Sequence, residues 1–252
     1  MEIPLISKRQ FNRFKKHLPV RSNAEKVDAR VALSCVIWVI KGGHSWNDIP
    51  ITYGNYNTIY KRFARWSKSE VFRNVFYSLA AKARMRGPAM IESTVVKAHR
   101  TSASMRADGK ERMIGRSAGG LTTKIHLLTN TEKIPLDFSL TPGQEHGSKE
   151  GERLIERNLS RFKTLLDDKG YDADKIRERL GSSGKIACIP PKSNRKNPEA
   201  YDRELYKKRS IIENMFSQLK DWKGIAMRFC RCAHTFVSAV SLALISIFLY
   251  VH

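Results

Sequence analysis

The spacing of apolar positions changes along this chain, and the change divides it. From 28 to 40, Val31, Ala32, Leu33, Val36, Ile37, Val39 and Ile40 are dense enough for a mostly buried helix, stopped by Gly42-Gly43. A short turn at 45–49 ends at Pro50. The pattern at about 57–68 predicts a helix with Ile59, Tyr60, Phe63 and Trp66 on one side and Lys61, Arg62, Arg65 and Lys68 on the other. Helix, short turn and basic aromatic helix suggest a helix-turn-helix whose second helix could enter a major groove. An amphipathic surface helix with solvated cations would show the same pattern. A basic stretch ending near Pro88 closes this half.

Beyond it, short β-prone runs at 90–96, 122–128 and 136–141 are separated by turn residues, with a long polar stretch from 100 to 120 between the first two. A helix at about 149–159 follows, then the run 162–166, which ends in Asp167-Asp168. A helix near 174–180 and a strand at 185–189 come next. Asn197-Pro198 reads as an N-cap with proline at the first helical position, opening a helix to about Trp222. The last apolar run, 236–251, is interrupted by Ser238, Ser241 and Ser246 and falls short of the roughly 20 residues of a membrane span, so it predicts a buried terminal helix. This order points to an α/β domain with a mixed sheet.

Composition adds one strong constraint. The 252 residues are 41% hydrophobic and 28% charged, which excludes a chain disordered throughout. Lys and Arg number 46 against 24 Asp and Glu, a net charge of +22. The excess is spread: 17 basic and 5 acidic groups lie in 1–88, and 29 and 19 in 89–252. So basic a chain implies a polyanionic partner, most often nucleic acid. The four cysteines lack the spacing of a zinc framework and read as structural thiols in a reducing compartment. No apolar leader opens the chain at Met1-Glu2-Ile3-Pro4. The seven histidines make no His-x-x-x-His pair, and Gly184-Lys185-Ile186 lacks the rest of a P-loop.

Acidic residues at strand ends are the first candidates for chemistry. Glu92 falls in the first strand of the second half, and Asp168 closes a later one, with Asp167 as a competitor. Carboxylates on one side of a sheet can converge on divalent metal ions. On the helix predicted near 198–222, taking Tyr206 as zero, Arg209, Glu213 and Lys220 fall at about 300°, 340° and 320°, one narrow stripe beside the apolar face. An ordinary ion pair between Arg209 and Glu213 would use the same spacing.

Tyr206, Arg209, Glu213 and Lys220 reproduce Tyr-(2)-Arg-(3)-Glu-(6)-Lys, a spacing that resembles the signature of bacterial insertion-sequence DDE transposases. Asp168-Lys169-Gly170-Tyr171-Asp172-Ala173 resembles the block around that family's second catalytic aspartate, and Glu92-Ser93-Thr94-Val95-Val96-Lys97-Ala98-His99-Arg100 its first. Gly119-Gly120-Leu121-Thr122-Thr123-Lys124-Ile125-His126, Ile189-Pro190-Pro191-Lys192-Ser193-Asn194-Arg195-Lys196 and Gly43-His44-Ser45-Trp46-Asn47-Asp48-Ile49-Pro50 are similar to the insertion-sequence-five branch. The resemblance covers nearly the whole chain, in order.

It implies an RNase H-like catalytic domain at 87–252, a mixed sheet with flanking helices, preceded by an all-α helix-turn-helix-like DNA-binding domain at 1–86. It implies phosphoryl transfer at terminal inverted repeats of double-stranded DNA, using two Mg²⁺ ions, with Mn²⁺ a possible substitute, held by Glu92, Asp168 and Glu213. Tyr206, Arg209 and Lys220 would contact DNA beside the metals, as would Lys192, Arg195 and Lys196 in their loop. Lys61, Arg62 and Arg65 would do so on the basic helix, and His99 and His126 would touch DNA or structure. Synapsis of two ends implies a homo-oligomer, and the expected setting is the bacterial cytoplasm, at the nucleoid. One departure stands out: the family has Asp where this chain has Glu92, which sets the carboxylate about 1.5 Å further out. Loss of activity, leaving only DNA binding, is the alternative that this departure raises.

Overall fold

The computed structural model describes residues 2–19, 27–83, 86–103 and 112–251. Four helices lead: α1 (Lys8–Lys15), α2 (Ala29–Gly42), α3 (Tyr56–Lys68) and α4 (Val71–Lys82). Asp28 caps α2 by accepting from the amides of Arg30 and Val31, and Gly43 ends it in the left-handed conformation (φ 67°). The connection from α2 to α3 is longer than the three- to four-residue turn of a helix-turn-helix. It contains two 3₁₀ turns, Trp46–Asp48 and Ile51–Tyr53, with Pro50 between them. Helix α4 was hidden in what reads as a basic stretch; its Val71, Phe72, Val75, Phe76 and Ala80 are buried.

The sheet begins with β1 (Ala89–Ala98), followed by α5 (Arg100–Ala103), β2 (Gly115–Ser117), β3 (Gly120–Asn130) and β4 (Pro135–Pro142). Then come α6 (Gly147–Asn158), β5 (Thr164–Leu166), α7 (Asp174–Ser182) and β6 (Ile186–Cys188). Residues 104–111 of the polar stretch expected at 100–120 lie outside the described residues. In space the strands run β3-β1-β5-β6, with β2 and β4 both pairing β3 and β7 (Met227–Arg228) pairing β1. Strands β1, β3 and β4 are antiparallel, whereas β5 and β6 run parallel to β1. This mixed sheet is the RNase H-like arrangement.

Alternation along β1 sends side chains to two cores. Met90 and Val96 join a large core with Ile212, Met215 and Leu219, and with Phe236 and Leu244 of the terminal helix α11 (Ala233–Val251). That core continues into α2, α3 and α4 through Val36, Phe63 and Phe72. Ala89 and Ile91 face the second core, built with Leu154 and Ile155 of α6 and Ile176 and Leu180 of α7. The terminal apolar run is therefore a core helix, and among the described residues no helix is long and apolar enough to cross a membrane.

The helix expected from Asn197-Pro198 starts later. It is α8 (Arg203–Tyr206), capped by Asp202, which continues through the 3₁₀ turn Lys207–Arg209 into α9 (Ser210–Lys220). A hydrogen bond and ion pairs tie the preceding segment elsewhere: Arg195 Nε donates to the Asn197 carbonyl, and Glu199 pairs with Arg177 and Arg195.

After α9, the short helix α10 (Lys223–Ala226) presses on α2 with no room for a side chain at Gly224. A Cβ there would lie 2.7 Å from the Ile40 carbonyl oxygen and 3.3 Å from its Cα. Gly224→Ala is therefore expected to destabilise the protein by about 1–3 kcal/mol, read as a lower urea midpoint. An unchanged midpoint would show that α2 and α10 separate freely.

Candidate active site

Glu92 projects from β1 toward α9. Its Oε1 accepts from the Ser93 amide at 2.8 Å, and its Oε2 accepts from Arg209 Nη2. The other arm of Arg209, Nη1, donates to the Tyr206 hydroxyl at 2.9 Å. The 3₁₀ turn explains this pairing, because three residues per turn eclipse positions i and i+3 and set Arg209 over Tyr206. The same turn breaks the stripe drawn from ideal α-helical geometry.

Asp168 follows β5, the strand parallel to β1, and starts a 3₁₀ turn (Lys169–Tyr171) by accepting from the Gly170 amide at 2.7 Å. Its neighbour Asp167 is fully buried; Oδ1 accepts from the Asp168 amide at 2.8 Å, and Oδ2 has no partner. Burial pushes the Asp167 carboxyl well above the usual range, opposed by the Asp168 amide and reinforced by the charges of Asp168 and Glu92. Burial also raises Glu92, against the Ser93 amide and Arg209, with Asp168 adding to the rise. Glu92, bonded to Arg209, thus lies within electrostatic range of Asp167 and Asp168.

The structure brings together Glu92, Asp168, Arg209 and Tyr206. It leaves Glu213 exposed on α9 and Lys220 exposed at the end of that helix. Among the described residues no group of three or more His, Cys, Asp or Glu is poised around a metal position. On α3, Lys61 and Arg65 are exposed, but Arg62 is not on the solvent side as expected. It is buried, donates from Nη1 to the Val27 carbonyl at 2.7 Å and lies over the Trp66 ring, so it braces the helix. Lys192 and Lys196 are exposed, whereas Arg195 is turned onto Asp172 and Asp174.

That last arrangement belongs to a network the sequence did not reveal. Arg177 is buried and donates to Asp172, Glu199 and the Ile189 carbonyl, and Asp172 also accepts from the Lys192 amide at 2.7 Å. Although burial pushes the Asp172 carboxyl up, the Lys192 amide and the Arg177 guanidinium hold it below the usual range. The network fixes the loop after β6 to the turn after Asp168. The only early sign was the second aspartate of the Asp168-to-Asp172 block. His126 is structural: its Nε2 lies 2.9 Å from Thr141 Oγ1, and burial pushes its pKa down to about 4. All four cysteines are free thiols.

An RNase H-like sheet with acids on β1 and just past the parallel strand β5 is an arrangement that suits a DDE-type transposase. Comparison with known proteins places the chain within that class: a family described as "Transposase DDE domain" matches residues 86–249, and the chain belongs to it. A family described as "Putative transposase of IS4/5 family" matches residues 6–76. The chain is 32% identical over 130 residues to a Brucella ovis protein named "Putative transposase for insertion sequence element IS6501", covering 51% of this chain and 99% of that one. It is also 31% identical over 98 residues to "Uncharacterized protein y4sN" of Sinorhizobium fredii, covering 37% of this chain and 78% of that one. In shape it is similar to the piggyBac transposase in a synaptic complex with hairpin DNA (TM-score 0.57, 7% identity, 95% of this chain and 71% of that one), a likeness of fold alone. The chain is an insertion-sequence transposase acting in DNA transposition.

Proposed function

We propose that this transposase cuts and joins DNA by metal-dependent phosphoryl transfer at the terminal inverted repeats of its element. The observation that carries the reading is the approach of Glu92 on β1 to Asp168 just past the neighbouring parallel strand β5, beside an arginine 117 residues from Glu92 in sequence. Residues 1–86 would recognise the repeats and 87–252 would carry the chemistry. Lys61, Arg65, Lys192, Lys196 and Lys220 are exposed cations suited to phosphates, and Arg209 with Tyr206 would hold a strand at the acidic centre. Arg62 and Arg195 would act indirectly, by holding α3 and the loop after β6 in place. Two copies would pair two ends, in the bacterial cytoplasm at the nucleoid.

The donor set fits Mg²⁺ or Mn²⁺ in kind, since it is all carboxylate oxygen. Crowded acids with one guanidinium and an unpartnered buried oxygen on Asp167 form a setting that a cation relieves. Glu92, Asp168 and Glu213 would hold the ions, two in number, with Glu213 supplied from α9. When bound, they would stabilise charge on the attacking and leaving oxygens. The chain's own part is to orient the strand, through the Arg209 fork and the Tyr206 hydroxyl.

A second reading has its own support: Glu92 is engaged by Arg209, so a copy with Glu at this position is held in an ion pair and binds DNA without cutting it. The test incubates the protein with labelled duplexes ending in the terminal repeat, in Mg²⁺, Mn²⁺ or EDTA. Cleavage at the end with either metal and none in EDTA is the expected result. Specific binding without cleavage would favour the second reading. Equal binding to repeat and random duplexes would sink both.

A further inference from the structure

Away from the acidic centre, a cavity of about 440 Å³ opens between α3 and the segment joining β7 to α11. Trp46, Tyr60 and Phe63 line it from the helical half, and Phe229, Arg231 and Thr235 from the catalytic half. We propose that this cavity is a nucleobase pocket, which takes one unpaired DNA base onto Tyr60 and Phe229 while Arg231 holds an adjoining phosphate. The inference rests on the reading that DNA ends are the substrate.

The walls match a flat, apolar-faced ligand. Trp46 stands edge-on to Tyr60, with ring centres 5.2 Å apart, and is tilted against Phe63 at 5.6 Å. Tyr60 and Phe229 are 42% and 48% exposed, so two large rings face solvent at a cavity able to cover them. Bases stack on such rings whatever their identity, because every base has a π-face. The volume lies in the range of pockets for single small ligands and excludes a duplex, which is wider than the cavity.

Charge selects the anionic ligand. Among the described lining residues none is acidic, and Arg231 is exposed. Position selects the same DNA that meets the acidic centre. The Phe229 ring packs on His99 at 4.9 Å, the His99 amide donates to the Arg228 carbonyl at 2.9 Å, and β7 pairs with the end of β1 at Lys97 and Ala98. From Glu92 to Ala98, β1 advances about 20 Å. At 3.4 Å per step in one strand, the captured base would lie on the order of six nucleotides from the phosphodiester at Glu92.

The test uses terminal-repeat duplexes in which 2-aminopurine, unpaired opposite an abasic site, is moved one position at a time. Stacking quenches its fluorescence, and the expected quenching is strongest on the order of six nucleotides from the cleaved end. Tyr60→Ala and Phe229→Ala are exposed-site changes that should keep the melting temperature, remove the quenching and weaken the unpaired duplex about tenfold. The fully paired repeat should bind them as it binds the unaltered protein. Phe229→Tyr should keep the quenching, because it keeps the ring. Quenching at no position, or the same quenching in the alanine variants, would overturn the pocket with DNA binding intact. Failure of the unaltered protein to bind any repeat duplex would overturn the DNA reading, and the pocket with it.

Discussion

Asp168→Asn is expected to lower end cleavage by on the order of 1,000-fold or more while leaving end binding unchanged. The change removes a charge and little else. The Asp168 oxygen that accepts from the Gly170 amide has an equivalent in asparagine, so the turn after β5 should persist. The companion variant Glu92→Asp works in the opposite direction, with an expected gain of roughly 100-fold, because about 1 Å of misplacement costs that much at a reacting centre. The structure supplies a second reason for the gain. A carboxylate withdrawn by one methylene loses its reach to Arg209, which frees the carboxylate for a cation and the guanidinium for a phosphate. Single-turnover cleavage of labelled ends measures both variants, and Mn²⁺ binding followed by electron paramagnetic resonance reports on the acids without relying on activity. Full cleavage by Asp168→Asn would remove that residue from the centre. A Glu92→Asp variant that cuts no faster would show that the longer side chain is accommodated.

Arg228→Met should destabilise the fold by about 3–5 kcal/mol, the range for a buried charged group whose partners are left behind. Arg228 is completely buried, and its acceptors are neutral: the carbonyls of Cys230, Met113 and Arg112, and Thr123 Oγ1. Its guanidinium lies 4.6 Å from the Phe236 ring centre. Burial without a carboxylate pushes its pKa down to about 10, so it remains charged at neutral pH. Two of the bonds reach residues 112–113 before β2, one reaches β3 and one the segment just past β7, while the Phe236 ring adds α11, so one side chain joins these elements. Methionine would fill part of the volume and leave the Arg112 and Cys230 carbonyls without the guanidinium, while the Met113 carbonyl keeps only its bond from Thr123 Oγ1. At about 2–4 °C per kcal/mol for a chain of this size, the melting temperature should fall by roughly 10–15 °C. A fall of only a degree or two would mean that water reaches the acceptors and that the arginine is not what holds these segments together.

Several elements are legible in the sequence, for a local reason. Helix α2 follows from dense apolar residues closed by glycines, and β1, β3 and β4 from β-prone runs between turn residues. The terminal apolar run was recognisable as a core helix because it was too short for a membrane. Helix α4 escaped because the cations clustered at and beyond its end, Lys82, Arg84 and Arg86, drew attention from the helical spacing of Phe72, Val75 and Phe76. The start of α8 was misplaced because Asn197-Pro198 satisfies a local rule that the pairs of Arg195 and Glu199 override.

The candidate site divides in the same way. Which residues carry acids and cations, and the strand end that positions Asp168, were set by sequence alone, since these depend on neighbours a few residues away. What each side chain meets was decided by the tertiary fold. Arg62 and Lys61 are adjacent on one helix, yet Arg62 is buried against Val27 and Lys61 faces solvent. Arg209 and Glu213 fall on one stripe at 100° per residue, but a 3₁₀ turn carries Arg209 to Glu92 and leaves Glu213 exposed. The buried charge of Arg228 and the aromatic cavity beside it join segments more than a hundred residues apart. Sequence determined the chemistry available to this protein through short-range periodicity and residue type; the packing of distant segments, which no local pattern encodes, decided which of those groups meet.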